Sequence, residues 1–355
     1  MSQPEMSLRD RFARLIAATG PISLAQFMAE SNARYYDSRD PLGSAGDFIT
    51  APEVSQMFGE LIGLWLADLW DRAGRPADVH YVELGPGRGT LARDALGAAR
   101  RFGLTPHVHF VEASGALGAI QRGLFPDATW HGDLSSLPDD APLLIVANEF
   151  LDALPVRQLV RTTQGWRERM VGLDGDRLVP IAGPRPMDAA IPPDFASQAI
   201  SNAGGGAIVE TCPAAAAVVG EIGRRLAAQG GAALIIDYGR TEPATGSSLQ
   251  ALRAHEKVDP FAFPGEADLT AHVDFSVLPA IAQAAGARWM GTVEQGALLI
   301  ALGLGARTEA LCRAALAQAA AIRAAAHRLA APDAMGALFK AMALGAPDWP
   351  TGAGF

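Results

Sequence analysis

Val82-Glu83-Leu84-Gly85-Pro86-Gly87-Arg88-Gly89-Thr90-Leu91 decides how the rest of the chain is read. Tyr81 to Leu84 reads as the end of a short buried strand. Three glycines follow at alternate positions, and from Leu91 to Arg101 the apolar residues recur at helical spacing. Strand, glycine turn and helix open a nucleotide-type α/β sheet, in which the ligand lies beyond the carboxyl end of the strand. Glycines there let the backbone approach a ligand and take positive φ values. A dinucleotide site wants its third glycine three places after the second; here Thr90 stands at that position and Gly89 comes one place early. Glu83 is the better discriminator. A carboxylate at the strand tip repels a diphosphate and suits a cationic amino-acid group. S-adenosylmethionine (SAM) carries such a group and no phosphate.

A chain of 355 residues, 49% hydrophobic and 19% charged, can form one large α/β domain with insertions or two domains. Ala297 to Leu304 is apolar but shorter than the roughly 18 residues that span a bilayer. Glu5, Arg9, Asp10 and Arg11 leave no apolar core for a signal peptide. Cys212 and Cys312 lack metal-ligand spacing, so neither a metal site nor a disulfide framework is expected, and a reducing cytoplasm is the simplest home. The net charge of −9 speaks against nonspecific nucleic-acid binding. It suits a cationic partner, such as an arginine-bearing protein segment. The apolar pattern sets no oligomeric state.

In chain order, residues 7 to 31 read as two helices, with Leu8, Phe12, Leu15 and Ile16 on one face of the first. Tyr35 to Gly43 is too polar and turn-rich for a helix. Glu53 to Ala73 reads as one apolar helix with Phe58, Leu61, Ile62, Trp65 and Leu69 inward. Thr50 either caps it, with Pro52 in the first turn and Glu53 completing a capping box, or contacts the ligand. His80 to Leu84 is the first strand and Val108 to Glu112 the second; Glu112, at its tip, can accept hydrogen bonds from both ribose hydroxyls. Asp127 to His131 is a short third strand, and Asp133 after it can accept from an adenine amino group. Leu143 to Ala147 is almost wholly apolar, as befits a central parallel strand. It runs into Asn148-Glu149-Phe150-Leu151-Asp152-Ala153-Leu154-Pro155. The fourth strand lies beside the first in a doubly wound sheet, so Asn148, Glu149 and Asp152 face the transferred group.

Beyond it, Val156 to Val179 alternates around turns at Gln164-Gly165 and Asp174-Gly175, which predicts antiparallel hairpins. Ile181 to Gly206 reads as a loop or cap. Ala233 to Gly239 is another buried strand with an acidic tip, Asp237. Leu252 to Phe275 has little periodicity but holds His255, Asp259, Glu266, Asp268, Thr270, His272 and Asp274, the pattern of a functional loop over the strand tips. Arg288 to Val293 and Ala297 to Leu302 read as a hairpin, and the alanine-rich Arg307 to Leu344 as helix. The domain organisation expected is a helical extension over 1–75, a cofactor-binding core over 76–302 with insertions at about 156–206 and 240–275, and a C-terminal alanine-rich helical segment over 303–355.

Five separated motifs, Gly46 to Glu53, Glu83 to Gly89, Asn148 to Pro155, Ile236 to Gly239 and Ala267 to Phe275, resemble the MidA-like family of SAM-dependent methyltransferases. Its mitochondrial member is an arginine methyltransferase required for assembly of respiratory complex I. The resemblance implies a class I, Rossmann-like α/β fold with a seven-stranded, mostly parallel sheet and one antiparallel strand. It implies SAM as cofactor, with Glu83, Gly85, Gly87 and Gly89 at its amino-acid part, Glu112 at the ribose, Asp133 at the adenine, and Asn148 and Glu149 near the sulfonium. It also implies a protein substrate bearing an arginine, with a complex I subunit as candidate. The usual arginine methyltransferases present two glutamates on a longer loop; here the acidic pair is Glu149 and Asp152, so the arginine assignment comes from the family.

Carboxylates of that pair can orient a guanidinium by bidentate hydrogen bonds, with Asp274 or His272 as the base. Structurally, Asp152 could equally cap a helix and His272 be a satisfied loop histidine. A small-molecule or other protein acceptor, and a SAM-binding assembly factor with little catalysis, are the competing functions. The Gly85–Gly89 spacing speaks against an NAD-dependent dehydrogenase.

Overall fold

The computed structural model describes residues 6–38, 49–191 and 206–355. Gly46, Asp47 and Phe48 of the first motif, and Asp40 to Gly43, lie outside them. At the centre is a mixed sheet built from β1 (His80–Leu84), β2 (His107–Val111), β3 (Thr129–His131), β4 (Leu143–Asn148), β5 (Gly231–Arg240), β6 (Arg288–Glu294) and β7 (Phe339–Gly345). Their order is β6-β7-β5-β4-β1-β2-β3, and a two-residue strand, Val273–Asp274, pairs with the tip of β5 to make the sheet eight-stranded where seven were expected. β3, β2, β1, β4 and β5 are mutually parallel, and β7 runs antiparallel to both its neighbours. The chain leaves β1 toward β2 and returns at β4 on its other side. The crevice therefore opens at the carboxyl ends of β1 and β4.

All of β1 and β4 is buried, as helices on both faces require. Leu144 and Val146 of β4 enter one core with Phe58, Leu61, Trp65 and Ile236. Leu143, Ile145 and Ala147 enter the other with Val219, Ile222 and Leu226. On the first face the Gln56–Arg72 helix crosses the Thr90–Ala99 helix so closely that a Cβ at Gly63 would run into the Ala95 backbone. The expected single helix over Glu53 to Ala73 is broken at Ser55, whose hydroxyl accepts from the Met57 N–H at 3.2 Å. Among the described residues no helix is long and apolar enough to cross a membrane.

The hairpins expected after Val156 are present as Arg157–Thr162, Gly165–Asp174 and Arg177–Pro186, in a second sheet with Ile22–Ser23 and Ile208–Thr211. The last hairpin strand corrects the loop expected from Ile181. Among the described residues it pairs on one side only, and an edge strand tolerates Pro180, Pro184 and Pro186. The N-terminal helices, Leu8–Thr19 and Leu24–Ser38, pack against this sheet and against Phe261. Tyr35 to Ser38 thus belong to a helix after all. Its buried seam is Leu24, Phe27, Met28, Ser31, Asn32 and Tyr35, and the two polar members hide the period from a search for apolar residues.

Two further expectations fail at the C-terminal side. Gln295–Ala301 is a helix, and the partner that makes the antiparallel pair with β6 is β7, from a stretch read as helix. A short apolar run fits a buried strand or a buried helix equally. β7, Phe-Lys-Ala-Met-Ala-Leu-Gly, contains no β-branched residue, and its place between two strands overrides its helical composition.

Candidate functional site

Leu84 ends β1, and Gly85, Gly87 and Gly89 turn the chain at φ values of +63°, +55° and +79°. A Cβ at Gly85 would strike the Phe150 ring and one at Gly89 the Phe125 ring, so the turn is narrow as well as left-handed. It borders a cavity of about 450 Å³ whose walls include Glu83, Gly85, Gly87, Glu112, Ser114, Asn148, Glu149 and Thr50. Glu83 is 2% exposed and accepts from the Tyr81 hydroxyl at 2.6 Å. Burial pushes its carboxyl up to about 8, against the pull of that bond and of the Ala92 N–H. Glu112 is braced by the Ser114 N–H (2.8 Å) and the Gln121 amide (3.0 Å), and burial raises it too. Asn148 Oδ1 is buried with no hydrogen-bond partner among the described residues. A buried acid and an orphaned acceptor on one cavity wall call for a ligand that brings charge and donors.

Thr50 sits at the N-terminus of the Ala51–Val54 helix but makes no capping hydrogen bond. Glu53 closes no capping box; it accepts from the Thr90 hydroxyl at 2.5 Å. Asp133 departs from expectation. It is exposed, lies outside the cavity wall, and its Oδ1 is taken by the Ser135 N–H (2.8 Å) and hydroxyl (2.5 Å), so it caps a 3-10 turn.

A second cavity, of about 260 Å³, adjoins the first and shares Tyr36 and Glu149 with it. Asp152, Asp268, Tyr238, Arg328 and Phe339 complete most of its wall. Glu149 holds a left-handed backbone, φ +52°, rare for a residue with a side chain and a mark of a constrained site. Its Oε1 accepts from the Ala51 N–H (2.9 Å) and the Asn148 amide (3.1 Å). Burial pushes Glu149 up to about 7 despite both bonds. Asp152 is raised well above the carboxylate range by burial, then by Asp237, Asp268 and Glu149.

Asp237, fully buried, binds the turn that carries this pair. Its Oδ2 accepts from the N–H groups of Phe150 (3.1 Å), Leu151 (2.7 Å) and Asp152 (3.4 Å). Asp152 therefore caps no helix; its own N–H is held instead. Tyr36, Asp268, Tyr238 and Arg328 were not singled out as site residues. Asp268 lay within a quoted motif, but nothing in the spacing ranks it above Asp274.

His272 and Asp274 do not reach either cavity and line a separate one of about 180 Å³. Asp274 pairs with Arg240 at 3.1 Å and accepts from Ser276, while the His272 ring packs edge-on against Tyr238 at 4.2 Å. Val273–Asp274 pairs with the tip of β5, and His272 precedes that strand.

A doubly wound sheet with a narrow glycine turn, a buried acid at the first strand tip and a second acid at the next defines an α/β methyltransferase. The comparisons agree. Residues 61–293 match the family described as "Putative S-adenosyl-L-methionine-dependent methyltransferase". The protein arginine methyltransferase NDUFAF7, mitochondrial, of Mus musculus is 36% identical, over 83% of this chain and 74% of that protein. Its Homo sapiens counterpart is also 36% identical, over 83% and 73%. A Burkholderia thailandensis protein described as a "likely methyl transferase", solved bound to S-adenosyl-homocysteine, superposes with a TM-score of 0.84 at 28% identity, covering 100% of this chain and 98% of that one. The chain belongs to this family of SAM-dependent methyltransferases, and SAM is its cofactor. Those relatives are named as mitochondrial, and that finding overturns the expected cytoplasmic home. Cysteine usage separates oxidising from reducing compartments and does not tell one reducing compartment from another.

Proposed function

We propose that this methyltransferase acts on a guanidinium nitrogen of an arginine in a protein segment. The observation that carries the reading is the second cavity, where Glu149, Asp152 and Asp268 meet beside the cofactor cavity and share Glu149 with it. Tyr238 and Phe339 supply aromatic wall to the same space, which suits a flat cation. The relatives named as protein arginine methyltransferases support it.

In this reading Glu83 and the Gly85, Gly87 and Gly89 turn hold the amino-acid end of SAM, Glu112 the ribose, and Asn148 and Thr50 the space around the sulfonium. SAM supplies an electrophilic methyl group on a positively charged sulfur. The protein's task is to present a nitrogen lone pair from a group whose pKa is about 12.5 or above. Glu149 and Asp152 would grip the guanidinium and draw its charge away from the attacking nitrogen. Holding the two reactants in line supplies much of the rate. The proton acceptor belongs among the groups of the second cavity, in place of His272 and Asp274.

The test joins calorimetric titration with SAM to mass-spectrometric localisation of transferred methyl groups, with a complex I subunit as first acceptor on the strength of the family resemblance. Saturable SAM binding and methylated arginine are expected. Methyl groups found only on another side chain, or on a small molecule, would replace the arginine reading. Asp133→Ala is expected to leave the SAM dissociation constant within about twofold, because an exposed carboxylate bonded to its own turn lends a ligand little. A loss of tenfold or more would restore Asp133 to the adenine site.

A further inference from the structure

Among the described residues, two line both cavities, Glu149 and Tyr36. Glu149 stands at the tip of β4, whereas Tyr36 comes from outside the central sheet, from the last turn of the Leu24–Ser38 helix. That turn is tied down on both sides. Toward the cofactor cavity, the Ser114 hydroxyl donates to the Tyr36 carbonyl at 2.8 Å, and the Ser114 N–H donates to Glu112 at 2.8 Å. Toward the second cavity, the Tyr36 hydroxyl donates to Asp268 Oδ1 at 2.7 Å. One turn earlier, the Asn32 amide donates to the carbonyls of Ala153 (3.0 Å) and Leu269 (2.8 Å), and its oxygen accepts from the Leu269 N–H (3.1 Å). The helix end is therefore the partition between the two spaces, with a phenol fixed in it.

We infer that Tyr36 is a catalytic residue of the methyl transfer, passing the proton released by the acceptor nitrogen on to Asp268. The inference rests on the arginine reading above. Burial first, and then Asp268, push the phenol well above its ordinary range, so it does not serve as an anion. It must take one proton as it gives up another. The new nitrogen–methyl bond replaces the donor's sulfur–methyl bond, whose electron pair stays on sulfur. The proton leaving nitrogen goes to the Tyr36 oxygen, while the hydroxyl proton crosses the existing hydrogen bond to Asp268. The relay leaves Tyr36 unchanged and Asp268 neutral, ready to discharge its proton when products leave.

Tyr36→Phe keeps the ring and removes only the hydroxyl. The full-length variant, Asp268→Asn and the double variant are to be assayed with labelled SAM and a library of arginine-containing peptides, with SAM affinity followed by calorimetry. Tyr36→Phe is expected to bind SAM within about threefold of the parent while kcat falls about a hundredfold. The double variant is expected to fall no further than the lower single variant, as for groups that act as one unit. Parental kcat in Tyr36→Phe would overturn the inference and leave the arginine reading standing. A parent protein that binds SAM but methylates no arginine in the library would overturn both.

Discussion

Glu149→Gln is expected to lower kcat for methyl transfer by at least about a hundredfold while SAM affinity stays within about threefold. Glutamine has the same shape and keeps an oxygen for the Ala51 N–H, so the cofactor wall survives. It has no charge to set against a guanidinium, and one of its two terminal atoms becomes a donor facing donors. The direction of the side chain is fixed by the backbone. The Glu149 N–H bonds the Ile236 carbonyl at 2.9 Å, and Asp237 holds the next three residues. A side chain at φ +52° costs on the order of 1–3 kcal/mol, which the surrounding bonds sustain. Because Glu149 titrates at about 7 and must be ionised to hold a cation, kcat/KM for the acceptor should climb with pH through about 7 and then level. A flat profile from pH 6 to 8, or normal turnover in Glu149→Gln, would remove Glu149 from the mechanism.

Glu83→Gln is expected to weaken SAM binding by roughly a hundredfold or more, the cost of losing one partner of a buried ion pair. The parent protein should show the same interaction as a pH dependence. With a carboxyl pushed up to about 8, Glu83 is mostly neutral at pH 6 and must lose a proton to receive an ammonium group. SAM affinity should therefore rise about tenfold from pH 6 to 7, less steeply to pH 8 and level above that, with proton release per SAM bound falling from close to one near pH 6 to about half at pH 8. Glu83→Gln should bind weakly and without this slope. Calorimetry in buffers of different ionisation enthalpy measures both quantities, and a SAM dissociation constant independent of pH would place the amino group elsewhere.

That Glu83, the glycine turn, Glu112 and Asn148 would line one cavity was legible because these residues follow from local rules. Glu83, the glycine turn, Glu112 and Asn148 each stand at the end of a buried parallel strand, and in a doubly wound sheet those ends converge. Asp133 followed the same logic, but its carboxylate is exposed, bonded to Ser135 and outside the cavity wall. Of the second cavity, Glu149 and Asp152 were legible as the acidic pair after the fourth strand, and the rest was not. Its walls include residues 36, 238, 268, 328 and 339, and their meeting with 149 and 152 depends on tertiary pairings that no period announces. The last turn of the Leu24–Ser38 helix, from Tyr35 on, looked like a loop because the helix's seam is partly polar. His272 and Asp274 share a motif with Asp268 but lie before and within a two-residue strand paired to the tip of β5, and they line a separate cavity.

The position of β7 bears on how the molecule is made. It lies between β5 and β6, yet it is translated after both. While a ribosome is still working between Glu294 and Phe339, those two strands each carry a bare edge, and the edge of β5 belongs to the apolar run Ala232 to Ile236. Bare apolar edges recruit strands from other chains. Sheet closure is thus a late event of synthesis, and a nascent chain stalled before Phe339 is a client for chaperones and proteases, whatever the state of its cofactor site.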